Sequence, residues 1–137
     1  MIKIEIMDSY LIPFVSNDKQ KEKGAELIFN GRVREIEHGK KIKMLEYEQY
    51  EGMAKKELEN IARETQENFF INDIFCKHRI GKVNVGEASL HVSIWSKHRK
   101  EGLDAMSFFI IELKKRVPIW KWAILTDGKK IPSECTH

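Results

Sequence analysis

Pro118 constrains this chain more than any other single residue, because it must end the helix that precedes it. Proline has no backbone N–H and disfavours the helical conformation of the residue before it. The helix is indicated by apolar side chains at three- and four-residue spacing, namely Leu103, Met106, Ile110, Leu113 and Val117. Lys114 therefore falls in the last helical turn, and Lys121 lies beyond the break. Two flexible ammonium groups from a helix end and its following loop suit a phosphorylated or carbonyl-bearing substrate.

The rest of the sequence alternates strand and helix patterns. A helix is predicted from Gly52 to about Asn68, because apolar residues there recur at helical spacing. Strand patterns surround it, over residues 2–6, 25–31, 42–50, 71–80, 83–85, 88–94 and beyond 122. This order predicts an α+β fold with largely antiparallel pairing and two main helices. The length of 137 residues suits a single domain spanning 1–137.

Three polar segments carry weaker signals. Residues 16–23 are expected to form a short helix or a loop, and residues 37–41 an exposed hairpin tip. After the turn predicted at Asp127-Gly128, we expect a polar tail.

Composition argues against several classes of protein. The net charge of +3 is too small by itself to indicate a nucleic-acid partner. Cys76 and Cys135 form neither a disulfide framework nor a metal-ligand spacing, so a reducing, cytoplasmic location is expected. No apolar run approaches the roughly 20 residues that span a bilayer, and the alternating N-terminus is unlike a signal peptide.

Two basic clusters stand at the ends of predicted elements. Arg32 and Arg34 follow a strand and a glycine, where they can present forks to a phosphate. Taken alone, these residues favour a solvated basic turn. His98 and Arg99 lie between a strand and a helix, a junction that suits an anion but is equally compatible with a plain basic helix start.

The histidines and the lysine pair have structural interpretations too. His78 shares a strand face with Ile74 and Cys76, which favours a hydrogen-bonded structural histidine. No histidine has zinc spacing, so no metal is expected. Helix C-termini favour cations, which explains Lys114 but not Lys121. From the residues alone, the sequence predicts an anion-binding α+β domain.

At these same clusters the chain resembles the large, catalytic subunit of molybdopterin synthase. The similar pieces follow the order and spacing of that family over about residues 24–122, leaving 123–137 as a divergent C-terminal tail. They are Gly24-Ala25, Phe29-Asn30-Gly31-Arg32-Val33-Arg34, Leu45-Glu46-Tyr47-Glu48-Gln49-Tyr50-Glu51-Gly52-Met53-Ala54, His78-Arg79-Ile80-Gly81, Val85-Gly86-Glu87, His98-Arg99, Leu113-Lys114 and Pro118-Ile119-Trp120-Lys121.

The resemblance implies a fold called the α/β hammerhead and a sulfurtransferase of molybdenum cofactor biosynthesis. Such an enzyme converts cyclic pyranopterin monophosphate into molybdopterin by installing two sulfur atoms. The sulfur arrives as a thiocarboxylate on the C-terminal Gly-Gly of a small ubiquitin-like subunit, so no cofactor is expected. The assembly implied is a heterotetramer around a central homodimer, with no nucleic acid and no membrane.

The resemblance also implies roles for individual residues. Lys114 and Lys121 would be the catalytic pair, close to the thiocarboxylate and the substrate. The substrate would be bound by these two lysines together with Arg32, Val33, Arg34, His98, Arg99, Trp122 and Ala123. His98 and Arg99 would bind its anionic end, contributed across the dimer interface.

The chain departs from the family pattern in three places. Ala123 stands where the family usually has glutamate, and Leu103 where an aromatic residue is common. Residues 129–135, which include Cys135, replace the usual C-terminal Trp-Val ending. A different class of protein, a non-catalytic basic module that binds RNA or another polyanion, would need exposed aromatic residues between its basic groups. Trp95, Trp120 and Trp122 are the candidates for such stacking.

Overall fold

The computed structural model describes residues 1–13 and 22–133. The expected helix or loop at 16–23 lies almost entirely outside the described residues, as does Cys135 in the tail. Two helices and nine strands make up the described part, and most strand pairs are antiparallel, as predicted.

One sheet of four strands packs against the two helices and forms one side of the larger hydrophobic core. Its order is β1 (Ile2–Met7), β5 (Asp73–Arg79), β7 (Ala88–Ser96) and β2 (Ala25–Arg32), in which only β1 and β5 run parallel. The helices α1 (Met53–Phe69) and α2 (Arg99–Arg116) bury their apolar sides against it. Cross-strand pairs such as Ile74 with Ile94 carry the apolar face from strand to strand.

A second sheet carries its own small core. Its order is β3 (Ile36–Glu37), β4 (Lys40–Gln49), β8 (Ile119–Leu125) and β9 (Lys130–Ser133), and β6 (Gly81–Asn84) pairs with β4. Its buried residues are Val33, Ile42, Leu45, Val83 and Ala123. The predicted polar tail is thus partly wrong, because residues 130–133 pair with β8 as a strand.

Helix α2 ends where Pro118 requires. Its last residue is Arg116, and Val117 is already extended, with φ −79° and ψ 126°. Tyr50 donates its backbone N–H to the Pro118 carbonyl at 3.0 Å, which joins the end of β4 to the start of β8. The end of α2 is therefore followed directly by a strand of the second sheet.

The buried side of α2 differs from the predicted stripe at one end. Leu103 is 57% exposed, whereas Phe109 is completely buried. Gly102 turns towards the first sheet, where a Cβ on it would lie 2.7 Å from Ser96 Oγ and closer still to Leu27 Cδ1. Because the helix approaches the sheet through this glycine, the neighbouring leucine points to solvent.

Candidate active site

A cleft of about 750 Å³ lies between the C-terminal half of α2 and the second sheet. Its walls combine apolar side chains, among them Leu45, Ile110 and Leu113, with charged ones. The cationic side chains that line it are Arg32, Arg34, Lys114 and Lys121. A concave site with a few convergent polar groups is the usual form of a small-molecule site.

The two lysines reach this cleft from different elements. Lys114 stands in the last turn of α2, and Lys121 stands in the middle of β8. The expected loop after Pro118 is therefore a strand, because Ile119 to Trp122 pair residue by residue with β4. The β-branched and aromatic residues of that segment favour a pleated strand. A strand and a helix hold the two ammonium groups more firmly than a loop would.

The two arginines lie at the end of β2: Arg32 is its last residue, and Arg34 follows two residues later. Arg32 donates from Nη1 to the Gly86 carbonyl at 3.0 Å. Arg34 donates from Nη2 to Glu37 at 3.5 Å, and its side chain is 73% exposed. Val33 points away from both and is buried in the second core. The structure thus brings four of the predicted site residues to one cleft.

His78 lies in the same cleft, which the sequence did not indicate. It is buried and hydrogen-bonded as predicted, with Nδ1 2.9 Å from the Arg79 carbonyl. Because Nδ1 donates to that carbonyl, Nε2 carries the lone pair of the neutral ring. Burial lowers the pKa of His78 to about 4, and the positive charge of Lys114 acts in the same direction.

Tyr47 and Ser89 complete the cleft wall around His78. The Tyr47 ring meets the edge of the His78 ring, with centroids 5.4 Å apart and planes at 73°. Its hydroxyl lies 3.0 Å from Ser89 Oγ. Tyr47 belongs to a segment that resembles the synthase family, and its position opposite Lys121 on β4 follows only from strand pairing.

Glu37 is another residue of the cleft that the sequence did not indicate. The prediction of an exposed hairpin tip holds for His38 and Gly39, whose positive φ values make the turn, but it is wrong for Glu37. Glu37 is only 5% exposed and contacts Ser133 Oγ at 3.3 Å. The strand β9, which was predicted as a polar tail, supplies that partner.

His98 and Arg99 lie away from this cleft within one chain. They line a second concave region together with Gly24 and Lys97 at the start of α2. Gly24 donates its N–H to the Lys97 carbonyl at 3.2 Å, which fixes this junction. Their convergence with Arg34 stays a prediction that requires a second protomer.

The last two predicted substrate residues, Trp122 and Ala123, follow Lys121 on β8 and do not line the cleft. Ala123 is completely buried in the second core. Trp122 points to the opposite face of the sheet, where Lys130 Nζ lies 5.1 Å from the centre of its ring. Their contact with a substrate stays a prediction.

Two further features are absent from the part of the chain that the structure describes. Within 1–13 and 22–133, no three His, Cys, Asp or Glu side chains are grouped so as to hold a metal ion. In the same ranges, no helix is long and apolar enough to cross a membrane.

Comparison with known proteins places this chain in a family. The family model described as MoaE protein matches residues 6–116. The chain belongs to the MoaE family. Molybdopterin synthase catalytic subunits from Pyrococcus abyssi and Dictyostelium discoideum are 42% and 44% identical to it. These matches cover 77% and 89% of this chain, and 72% and 77% of the relatives.

The fold agrees with solved structures of the same family. The crystal structure of molybdopterin synthase from Staphylococcus aureus has a TM-score of 0.81 and 34% identity to this chain. The match covers 92% of this chain and 93% of that one. The predicted α+β fold is therefore confirmed for a MoaE family member.

Proposed function

We propose that this protein is the catalytic subunit of a molybdopterin synthase, which converts cyclic pyranopterin monophosphate into molybdopterin by sulfur transfer. The observation that carries the proposal is the placement of Lys114 and Lys121 in one cleft with Arg32 and Arg34. Membership of the MoaE family and the names of its relatives support it.

The chemistry of the cleft suits this reaction. The sulfur donor, a thiocarboxylate, and the substrate, a cyclic phosphate, are both anions. Cationic groups held in a partly enclosed site stabilise negative charge that develops during transfer, because they need little reorganisation. Lys114 and Lys121 also carry protons that they can donate to a leaving oxygen. The sulfur comes from the donor, so the protein requires no cofactor of its own.

The donor we propose is a small ubiquitin-like subunit that ends in Gly-Gly. The relatives are named as subunits, so each is part of a larger assembly. An extended tail without side chains needs little room to reach the two lysines. We further propose a homodimer with one small subunit bound to each protomer, acting in the cytoplasm.

The deciding experiment is reconstitution. The purified protein is mixed with a thiocarboxylated small subunit and cyclic pyranopterin monophosphate, and molybdopterin is measured. We expect product only when all three are present. Absence of product, together with a shift of RNA mobility at physiological salt, would favour the polyanion-binding alternative.

A further inference from the structure

Glu37 places a buried carboxylate in a cleft that is otherwise cationic. Among the described residues that line the cleft it is the only acidic one, and it shares the cleft with Arg34 and Lys121. Burying a charged group is costly unless it is paired and hydrogen-bonded. A carboxylate in this position therefore calls for a partner that compensates its burial.

The described contacts compensate it only partly. Arg34 Nη2 donates to Oε1 at 3.5 Å, and Ser133 Oγ donates to Oε2 at 3.3 Å. Both distances exceed the roughly 2.7–2.9 Å of a good charge-assisted hydrogen bond. An ionised carboxylate has about four lone-pair positions, so Glu37 can accept further hydrogen bonds.

The positions of the charged side chains in the cleft indicate which part of a ligand can bind beside Glu37. A phosphate or thiocarboxylate is repelled by it and is attracted to Lys114 and Lys121. A group with two adjacent N–H donors matches the two carboxylate oxygens. Leu45 and Tyr47 line the same cleft and offer apolar and aromatic surface to a flat ring.

We propose that Glu37 is a specificity-determining residue that accepts hydrogen bonds from the amino-pyrimidinone edge of the pterin ring. That edge carries a ring N–H next to an amino group, which is the donor pair that a carboxylate binds with both oxygens. Lys114 and Lys121 then hold the anionic end of the same molecule. This inference rests on the proposed function, since it assumes a pterin phosphate as substrate.

The test compares Glu37→Gln with the wild-type protein in steady-state assays that use the thiocarboxylated small subunit. The substitution keeps the size of the side chain but removes the charge and one acceptor, so KM for the pterin precursor should rise about tenfold or more. The kcat should change little, because the contact is the same before and during the reaction. Inorganic phosphate, used as a competitive inhibitor, should inhibit at least as strongly as before, because the loss of the Glu37 charge does not weaken its attraction to Lys114 and Lys121.

A matched control lies two residues away. Glu35 is 57% exposed and pairs with Lys41 at 3.1 Å outside the cleft, so Glu35→Gln should leave KM and kcat unchanged. Thermal unfolding of both variants shows whether they remain folded.

Three outcomes would overturn the inference. An unchanged KM in Glu37→Gln would exclude recognition of the ring. If the inhibition constant of phosphate rises by the same factor as KM, Glu37 only holds Arg34 in place. A wild-type protein that makes no molybdopterin would refute the proposed function itself, and with it the inference. The first two outcomes leave the proposed function standing.

Discussion

Tyr47 and Lys121 lie directly opposite each other on β4 and β8. The Tyr47 ring is held by the edge of His78, and its hydroxyl by Ser89. The cross-strand neighbour of Lys121, Tyr47, is therefore held in place by both His78 and Ser89. A functional side chain on such a rigid element loses less conformational freedom when it binds a ligand.

The first prediction concerns the two lysines of the cleft. Lys121→Ala should nearly abolish molybdopterin formation, and Lys114→Ala should slow it roughly a hundredfold or more. The matched control is Lys115→Ala, because Lys115 is 70% exposed and pairs with Glu112 instead of lining the cleft. Single-turnover rates measure the effect. Near-normal rates in both cleft variants would refute the assignment.

The second prediction concerns the separation of Arg34 from His98 and Arg99. Since they lie in different concavities of one chain, a substrate site that contains all three must combine two protomers. Arg34→Ala and His98→Ala should each be inactive, yet their mixture after subunit exchange should recover about a quarter of the wild-type activity. That fraction follows if half of the dimers are mixed and each has one intact site. A mixture as inactive as its components would place the residues in one protomer or in unrelated sites.

The third prediction concerns the small subunit. The protein should be a dimer by light scattering, and calorimetry should show binding of a ubiquitin-like partner that ends in Gly-Gly. Removing the two glycines should weaken binding about tenfold or more, because the tail contributes contacts inside the cleft. A monomer that binds the full-length and truncated partners equally would contradict this prediction.

The fourth prediction follows from the lowered pKa of His78. Burial, with the nearby Lys114 charge, lowers this pKa to about 4, whereas an unfolded chain binds the proton near pH 6.5. Between these values the unfolded state holds more protons, so the free energy of unfolding falls as the pH falls. The full contribution, about 3 kcal/mol, is present above about pH 6.5 and is lost by about pH 4.

Urea unfolding across this pH range measures the effect. His78→Asn should show a shallower loss of stability on acidification. Part of the loss should remain in this variant, because the pKa of buried His91 is also lowered. His38→Asn is the control, because His38 is exposed in a turn with a φ of 52°, which asparagine tolerates. An identical pH dependence in both variants would exclude His78 as a source of acid sensitivity.

The fifth prediction concerns the approach of α2 to the first sheet. Gly102→Ala should destabilise the protein by about 1–3 kcal/mol, because the added methyl group meets Leu27 and Ser96. Ser107→Ala, on the exposed side of the same helix, should leave the stability almost unchanged. Equal midpoints of denaturant unfolding in the two variants would show that α2 moves away from the first sheet without loss of stability.

Local pattern determined much of this protein. The three- and four-residue spacing of apolar side chains gave α1 its buried residues, and Pro118 gave α2 its end at Arg116. Alternation likewise located the strands from Ile2 to Met7 and from Ala88 to Ser96. These features depend on neighbours within a few residues, so they are visible in the sequence. Family resemblance added the set of site residues, of which Lys114, Lys121, Arg32 and Arg34 line one cleft.

Tertiary structure alone decided the rest of the cleft. Glu37 lies in a polar hairpin, and only Ser133, 96 residues later in the chain, shows that it is buried. His78 looked like a structural histidine, and the packing of α2 across the strand end makes it also a cleft residue beside Lys114. Burial and charge environment are set by residues that are distant in sequence, because strand pairing and helix packing join segments whose separation no local pattern records.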